Sequence, residues 1–78
     1  MPANGDRILD LRGLKCPLPA LRTKKALVGM SPGERLVVEA TDPMSAIDIP
    51  HLIGATGDTL LAVERTGELI RFTLRKAG

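Results

Sequence analysis

Two prolines separated by one residue constrain the structure around the only cysteine of this 78-residue chain. Cys16 is followed by Pro17, Leu18 and Pro19, and it comes after a short apolar segment with the pattern of a β-strand. Proline is tolerated in the first turn of a helix, because its missing N–H has no intrahelical partner there. The motif therefore predicts a helix that begins at Pro17, with Cys16 as its N-cap and the thiol at the surface.

An N-cap position would influence the chemistry of the thiol. The backbone N–H groups and the dipole at a helix N-terminus favour an anion. Pro19 has no N–H, so the N–H of Leu18 is the remaining donor that could hold the sulfur. We therefore expect a modestly lowered pKa for Cys16, which suits thiol exchange. The alternative is a small buried cysteine, but the two prolines and the charged neighbour Lys15 favour a surface position.

The hydrophobic pattern of the chain predicts four strands and two helices. The strands are expected at 8–11, 36–40, 59–64 and 69–75, and the first helix at 17–28. A second helix should begin after Asp42 as its N-cap and Pro43 as its first residue. Pro50 within that helix predicts either a kink or a late regular start. The last two strands should form a tight hairpin through Thr66 and Gly67.

This order of elements, βαβαββ, predicts an α/β (α+β) fold with two layers. A four-stranded mixed sheet should have both helices on one face and leave the other face largely in water, because polar residues alternate along the strands. The length is enough for one core, so residues 1–78 are expected to form a single domain, with 1–6 as a disordered N-terminus.

The first helix is expected to bury a face that contains Ala20, Leu21, Leu27 and Val28, with Lys24 near its centre as a snorkelling side chain. On the other side we expect a docking surface beside the thiol for an acidic partner. It combines one apolar side chain with basic residues: Lys15, Leu18, Arg22 and Lys25. One exposed leucine is ordinary in itself. Lys24 and Asp48 are further candidate site residues, and whether Lys24 reaches the sulfur is left open.

Composition argues against several classes of function. The net charge is only +2 and the single aromatic residue is one Phe, which argues against a nucleic-acid module that stacks bases. No apolar run approaches the roughly 20 residues that span a bilayer, and no signal-peptide pattern is present. One Cys and one His are too few for a structural zinc site, and no motif for a cofactor is found. A lone reactive thiol fits a reducing, cytoplasmic compartment.

Residues 9–27, LDLRGLKCPLPALRTKKAL, resemble the TusA/SirA-like family of small bacterial sulfur carriers. The family signature is Cys-Pro-x-Pro, which here supplies Cys16, Pro17 and Pro19, with Gly13 three residues before the cysteine. The resemblance continues in the SPGE turn at 31–34 and in the DP and DIP elements that begin at Asp42 and Asp48. It thus extends over nearly the whole chain.

The resemblance implies that Cys16 accepts sulfur as a persulfide and passes it on. The donor would be a cysteine desulfurase or a rhodanese-type protein, and the acceptor protein would serve tRNA thiolation, molybdenum cofactor assembly or sulfur oxidation. Some members have a second cysteine after the DIP element. Here that segment is His51, Leu52, Ile53 and Gly54, so a resolving cysteine within this chain is excluded.

Two other classes of function remain open at this point. The chain could be a regulatory or adaptor domain that uses the CPLP elbow for recognition without needing the thiol. It could also be an RNA-binding module, since the expected fold resembles the C-terminal domain of a translation initiation factor. A requirement for Cys16 separates the first from a sulfur carrier, and steep salt dependence of RNA binding would favour the second.

Overall fold

The computed structural model describes residues 6–77. Its helices and strands follow the predicted order, and they are β1 (Asp6–Leu11), α1 (Leu18–Val28), β2 (Arg35–Ala40), α2 (Ser45–Thr56), β3 (Thr59–Thr66) and β4 (Leu69–Arg75). Strand β1 includes Asp6, which was expected to lie in a disordered terminus, and residues 1–5 of that prediction lie outside the described residues.

The four strands form one mixed sheet in the order β1-β2-β4-β3. Strand β1 is parallel to β2, with Leu11 opposite Ala40, whereas β4 is antiparallel to both of its neighbours. A parallel pair places the carboxyl ends of both strands at the same edge of the sheet. The segments that lead from β1 to α1 and from β2 to α2 therefore start side by side.

The helices cover one face of the sheet, as the alternation predicted. Buried side chains on this face come from the two central strands, and they are Leu36, Val38, Ala40, Ile70, Phe72 and Leu74. On the other face the charged residues remain accessible, and Arg71 of β4 forms an ion pair at 2.9 Å with Glu39, which lies directly opposite on β2.

The predicted orientation of α1 is wrong. Its buried residues are Pro19, Thr23 and Leu27, whereas Leu21 and Val28 are 55% and 75% exposed. The helix is thus rotated by about one residue, or roughly 100°, from the orientation that hydropathy indicated. Thr23 can be buried because its hydroxyl donates to the Pro19 carbonyl at 2.8 Å, so no polar group is left unpaired.

The start of α2 also differs from the prediction. The helix begins at Ser45 after Met44 as N-cap, two residues later than a cap at Asp42 would place it. Asp42 instead organises the preceding turn, where its carboxylate accepts from the N–H of Met44 at 3.2 Å and its carbonyl accepts from the Ser45 hydroxyl at 2.6 Å. Pro50 lies inside the helix, which excludes a late start after the proline.

The β3–β4 hairpin is shifted by one residue from the predicted turn. Thr66 pairs with Leu69, so the two turn residues are Gly67 and Glu68. Gly67 has a φ of 60°, a left-handed value that suits glycine at the first position of a type II′ turn. Neither helix within residues 6–77 is long and apolar enough to cross a membrane.

The buried carboxylate of Asp58, just before β3, binds the backbone after β4. It lies at the edge of the sheet opposite the β1–α1 segment. The side chain of Asp58 is 1% exposed, and it accepts hydrogen bonds from the Ala77 N–H at 2.8 Å and from the Thr56 hydroxyl at 2.7 Å. Burial alone would raise the pKa of Asp58. The two hydrogen bonds and the nearby Lys76 outweigh it, so the pKa is lowered.

We expect Asp58→Ala to lower the free energy of unfolding at pH 7 by about 1–3 kcal/mol, because the donors of two partly buried hydrogen bonds lose their acceptor. The folded-state pKa of Asp58 is lower than its unfolded value of about 3.9, so this stabilisation is complete above that value and is lost as the pH falls through the folded-state pKa. Urea unfolding at pH 7 and pH 3 should show a smaller acid loss in the variant than in the wild type. Equal acid losses would contradict this, and Glu64→Ala, at an exposed carboxylate, is the control.

Candidate functional site

The segment that follows β1 is hydrogen-bonded to the segment that follows β2. Gly13 has a φ of 82°, and its N–H donates to the Thr41 hydroxyl at 2.9 Å. Just before it, the Arg12 side chain forms hydrogen bonds with both carboxylate oxygens of Asp10, which lowers the pKa of this exposed carboxyl to about 2. The turn at Gly13 thus directs the chain toward the start of α2.

Cys16 is exposed, as the flanking prolines predicted, and two carboxylates from the other segment contact it. The N–H of Cys16 donates to Oδ2 of Asp42 at 2.6 Å. Its Sγ donates to Oδ2 of Asp48, in the first turn of α2, at 3.1 Å. The peptide bond between Cys16 and Pro17 is cis. The thiol is therefore accessible, and its position is defined by contacts on both its backbone and its sulfur.

The predicted capping role of Cys16 is wrong. Pro17 is the N-cap of α1, and Cys16 lies one residue outside it. The N–H of Leu18 donates to the carbonyl of Lys15 at 2.9 Å, so it is already used by the backbone and does not hold the sulfur. The prolines lie at the N-cap and at the second helical position, where neither interrupts the hydrogen bonding of the helix.

The predicted direction of the thiol pKa is also wrong. The hydrogen bond to Asp48 is the largest of several effects that raise the pKa of Cys16, and the others are desolvation and the charges of Asp48 and Asp42. All of these stabilise the neutral thiol or destabilise the thiolate. Two negative charges next to the sulfur outweigh the helix terminus, from which Cys16 is displaced by one residue.

The four residues of the predicted docking surface are exposed. Lys15 precedes the thiol, and Leu18, Arg22 and Lys25 lie on the side of α1 that points away from the sheet. The rotation of α1 also exposes apolar side chains on the outer surface of the two helices. Together with two residues at the start of α2, they are Leu18, Leu21, Val28, Met44 and Ile47.

The composition of the site differs in part from the sequence prediction. Asp48, a candidate without an assigned role, is the hydrogen-bond partner of the sulfur. The contact of Asp42 with Cys16 was not predicted, although Asp42 begins the DP element and Asp48 begins the DIP element. Lys24 is exposed rather than packed. His51 lies on α2 one turn after Asp48, and the thiol bonds to the carboxylate rather than to the imidazole.

The surroundings of the thiol are open. The cleft beside it has a volume of about 160 Å³ and is lined by residues of the two joined segments: Gly13, Leu14, Lys15, Thr41, Asp42 and Pro43. Pockets that enclose a small molecule usually measure roughly 300–1,000 Å³. Within residues 6–77, no group of three acidic, Cys or His side chains could hold a metal ion. The geometry suits chemistry on an exposed sulfur atom.

The fold and the site define a small α/β domain with one exposed thiol at the edge of its sheet. The family model described as Sulfurtransferase TusA matches residues 7–76, and the chain belongs to the TusA family of sulfur carriers. The resemblance of the CPxP region to this family is thereby confirmed.

Individual relatives are similar over nearly the whole chain. The "Sulfur carrier protein TusA" of Allochromatium vinosum is 43% identical over 75 residues, which cover 96% of this chain and 99% of that protein. The "Putative sulfur carrier protein YrkF" of Bacillus subtilis is 41% identical over 71 residues, which cover 91% of this chain but 38% of the relative. The chain thus spans well under half the length of that second protein.

A solved structure has the same fold. The SirA-like protein of Desulfitobacterium hafniense aligns with a TM-score of 0.78 at 24% identity, covering 91% of this chain and 97% of the other. The predicted βαβαββ architecture is therefore confirmed.

Proposed function

We propose that this protein carries sulfur as a persulfide on Cys16. In this proposal the thiol attacks the outer sulfur of a donor's persulfide, holds that sulfur, and passes it to the thiol of an acceptor protein. The observation that supports it best is the exposure of the single thiol at the tip of the CPxP segment, where another protein can reach it. The names of the similar relatives, both described as sulfur carriers, support the same reaction.

The proposed donor is a cysteine desulfurase or a rhodanese-type protein, and the proposed acceptor belongs to tRNA thiolation, molybdenum cofactor assembly or sulfur oxidation in a bacterial cytoplasm. The partners would dock on the exposed residues next to the thiol. Leu18 supplies apolar contact, and Lys15, Arg22 and Lys25 supply a positive rim that attracts an acidic partner. The protein would have no turnover by itself, because both the source and the destination of the sulfur are other proteins.

Sulfur loading tests this proposal directly. After incubation with a cysteine desulfurase and free cysteine, or with a persulfidated rhodanese, intact-mass spectrometry should show the addition of one sulfur atom to the wild-type protein. A reducing thiol should remove it, because a persulfide is reducible whereas sulfinic and sulfonic acids are not reversed in that way. Absence of the added sulfur with both kinds of donor would contradict the proposal and favour an adaptor role for the CPLP elbow.

A further inference from the structure

The hydrogen bond between the thiol and Asp48 raises a chemical question. Sγ donates its proton to Oδ2 of Asp48 at 3.1 Å, and Asp42 adds a second carboxylate on the backbone of the same residue. The thiolate rather than the thiol is the attacking form of cysteine. A carrier whose thiol is held in the neutral form needs a means of losing its proton at the moment of attack.

We propose that Asp48 is the proton relay of sulfur transfer: it accepts the proton of Cys16 during attack on a persulfide and returns a proton when the sulfur leaves. This inference rests on the proposed sulfur-carrier function. Three features support it. The carboxylate is already in hydrogen-bond contact with the sulfur, it lies in the first turn of α2, and it is half-buried, so that its position is defined.

The step balances without an added oxidant or reductant. The sulfur of Cys16 attacks the outer sulfur of a donor persulfide, R–S–SH, while its proton moves to Asp48. The new bond joins Sγ to the outer sulfur, the S–S bond of the donor breaks, and the departing donor sulfur keeps the electron pair and takes the proton from Asp48. The products are a persulfide on Cys16 and the donor thiol R–SH, and the carboxylate is restored.

Unloading follows the same path in reverse. The thiol of an acceptor gives its proton to Asp48 as it attacks the outer sulfur on Cys16, and Sγ receives that proton as it leaves. A carboxylate suits this exchange because its two oxygens can accept from one sulfur and donate to the other. In the unloaded protein the neutral thiol is favoured, which makes an exposed cysteine less prone to alkylation and oxidation.

Two carboxylates act on the ionisation of the thiol. Asp42 before α2 and Asp48 on α2 both disfavour the thiolate. Lys15 beside the thiol and Arg22 on α1 have the opposite charge, and His51 follows on α2. Asp42 also bonds the N–H groups of both Cys16 and Met44, so substituting it would disturb the loop. Asp48 is therefore the residue whose proton-accepting capacity can be removed with the least structural change.

The variant Asp48→Asn tests the proposal, because asparagine keeps an acceptor oxygen of similar shape but cannot take a proton. We expect two rates to change in opposite directions at pH 7. Alkylation of Cys16 by iodoacetamide should become faster, since the loss of the negative charge lowers the pKa of the thiol. Sulfur acceptance from glutathione persulfide should become slower by about tenfold or more, since the relay is lost. This small donor avoids any effect on protein docking.

The pH profile separates a relay from a purely electrostatic role. As the pH rises, the thiolate forms without help and the deficit of Asp48→Asn should shrink toward zero. If the variant accelerates both reactions, or leaves both unchanged, the relay is refuted while sulfur carriage stands. If the wild type accepts no sulfur from any donor, the carrier function itself fails. Glu64→Gln, which neutralises an exposed carboxylate on β3, is the matched control, and circular dichroism checks the fold.

Discussion

Cys16→Ser should abolish sulfur loading completely while leaving the protein folded. A serine hydroxyl is far less acidic than a thiol and cannot form a persulfide, so no mass of sulfur should be added with any donor. The side chain is exposed and makes one side-chain hydrogen bond, to Asp48, which a hydroxyl can also donate. The thermal midpoint and the circular dichroism spectrum should therefore stay close to those of the wild type.

A cellular test extends this prediction to the rival function. In a strain that lacks the gene, the serine variant should fail to restore whatever sulfur-dependent product the wild type restores. Full restoration by a folded serine variant would defeat the carrier interpretation and support an adaptor domain that uses the CPLP elbow alone.

Reversal of two charges on α1 should slow the docking of a sulfur donor. Arg22 and Lys25 are both exposed on the side of α1 away from the sheet. Their replacement by Glu should reduce the rate of sulfur acceptance from a cysteine desulfurase by about tenfold or more at low ionic strength, because steering by complementary charge acts on association. The deficit should become smaller at higher salt, where the Debye length is about 8 Å or less.

Two controls make this second prediction specific. The rate of alkylation by iodoacetamide should hardly change, since Cys16 keeps the contact of its sulfur with Asp48 and that of its N–H with Asp42. Replacing Arg65 and Arg75 by Glu changes the net charge by the same amount on β3 and β4, and that variant should accept sulfur at nearly the wild-type rate. A double α1 variant that matches the wild type in low salt would show that these cations form an ordinary solvated helix face.

The element order and the exposure of Cys16 were determined by local sequence. Apolar and polar residues alternate along β2 and β4, so these strands could be predicted from neighbouring positions. Pro17 and Pro19 restrict the backbone directly, so the start of α1 was predicted within one residue and the thiol was predicted to be exposed. The hairpin turn differs from the prediction because of the turn chemistry of a single residue. Gly67 prefers the first turn position, and this preference sets the pairing of Thr66 with Leu69.

The chemistry of the site was decided by the tertiary structure. Asp42 and Asp48 are 26 and 32 residues from Cys16 along the chain, and the parallel pairing of β1 with β2 brings them to the thiol. These contacts reverse the expected direction of the pKa, which a helix N-terminus alone would have lowered. The orientation of α1 likewise followed from packing, because the hydroxyl of Thr23 is satisfied by the backbone of its own helix and can therefore face the core in place of Leu21.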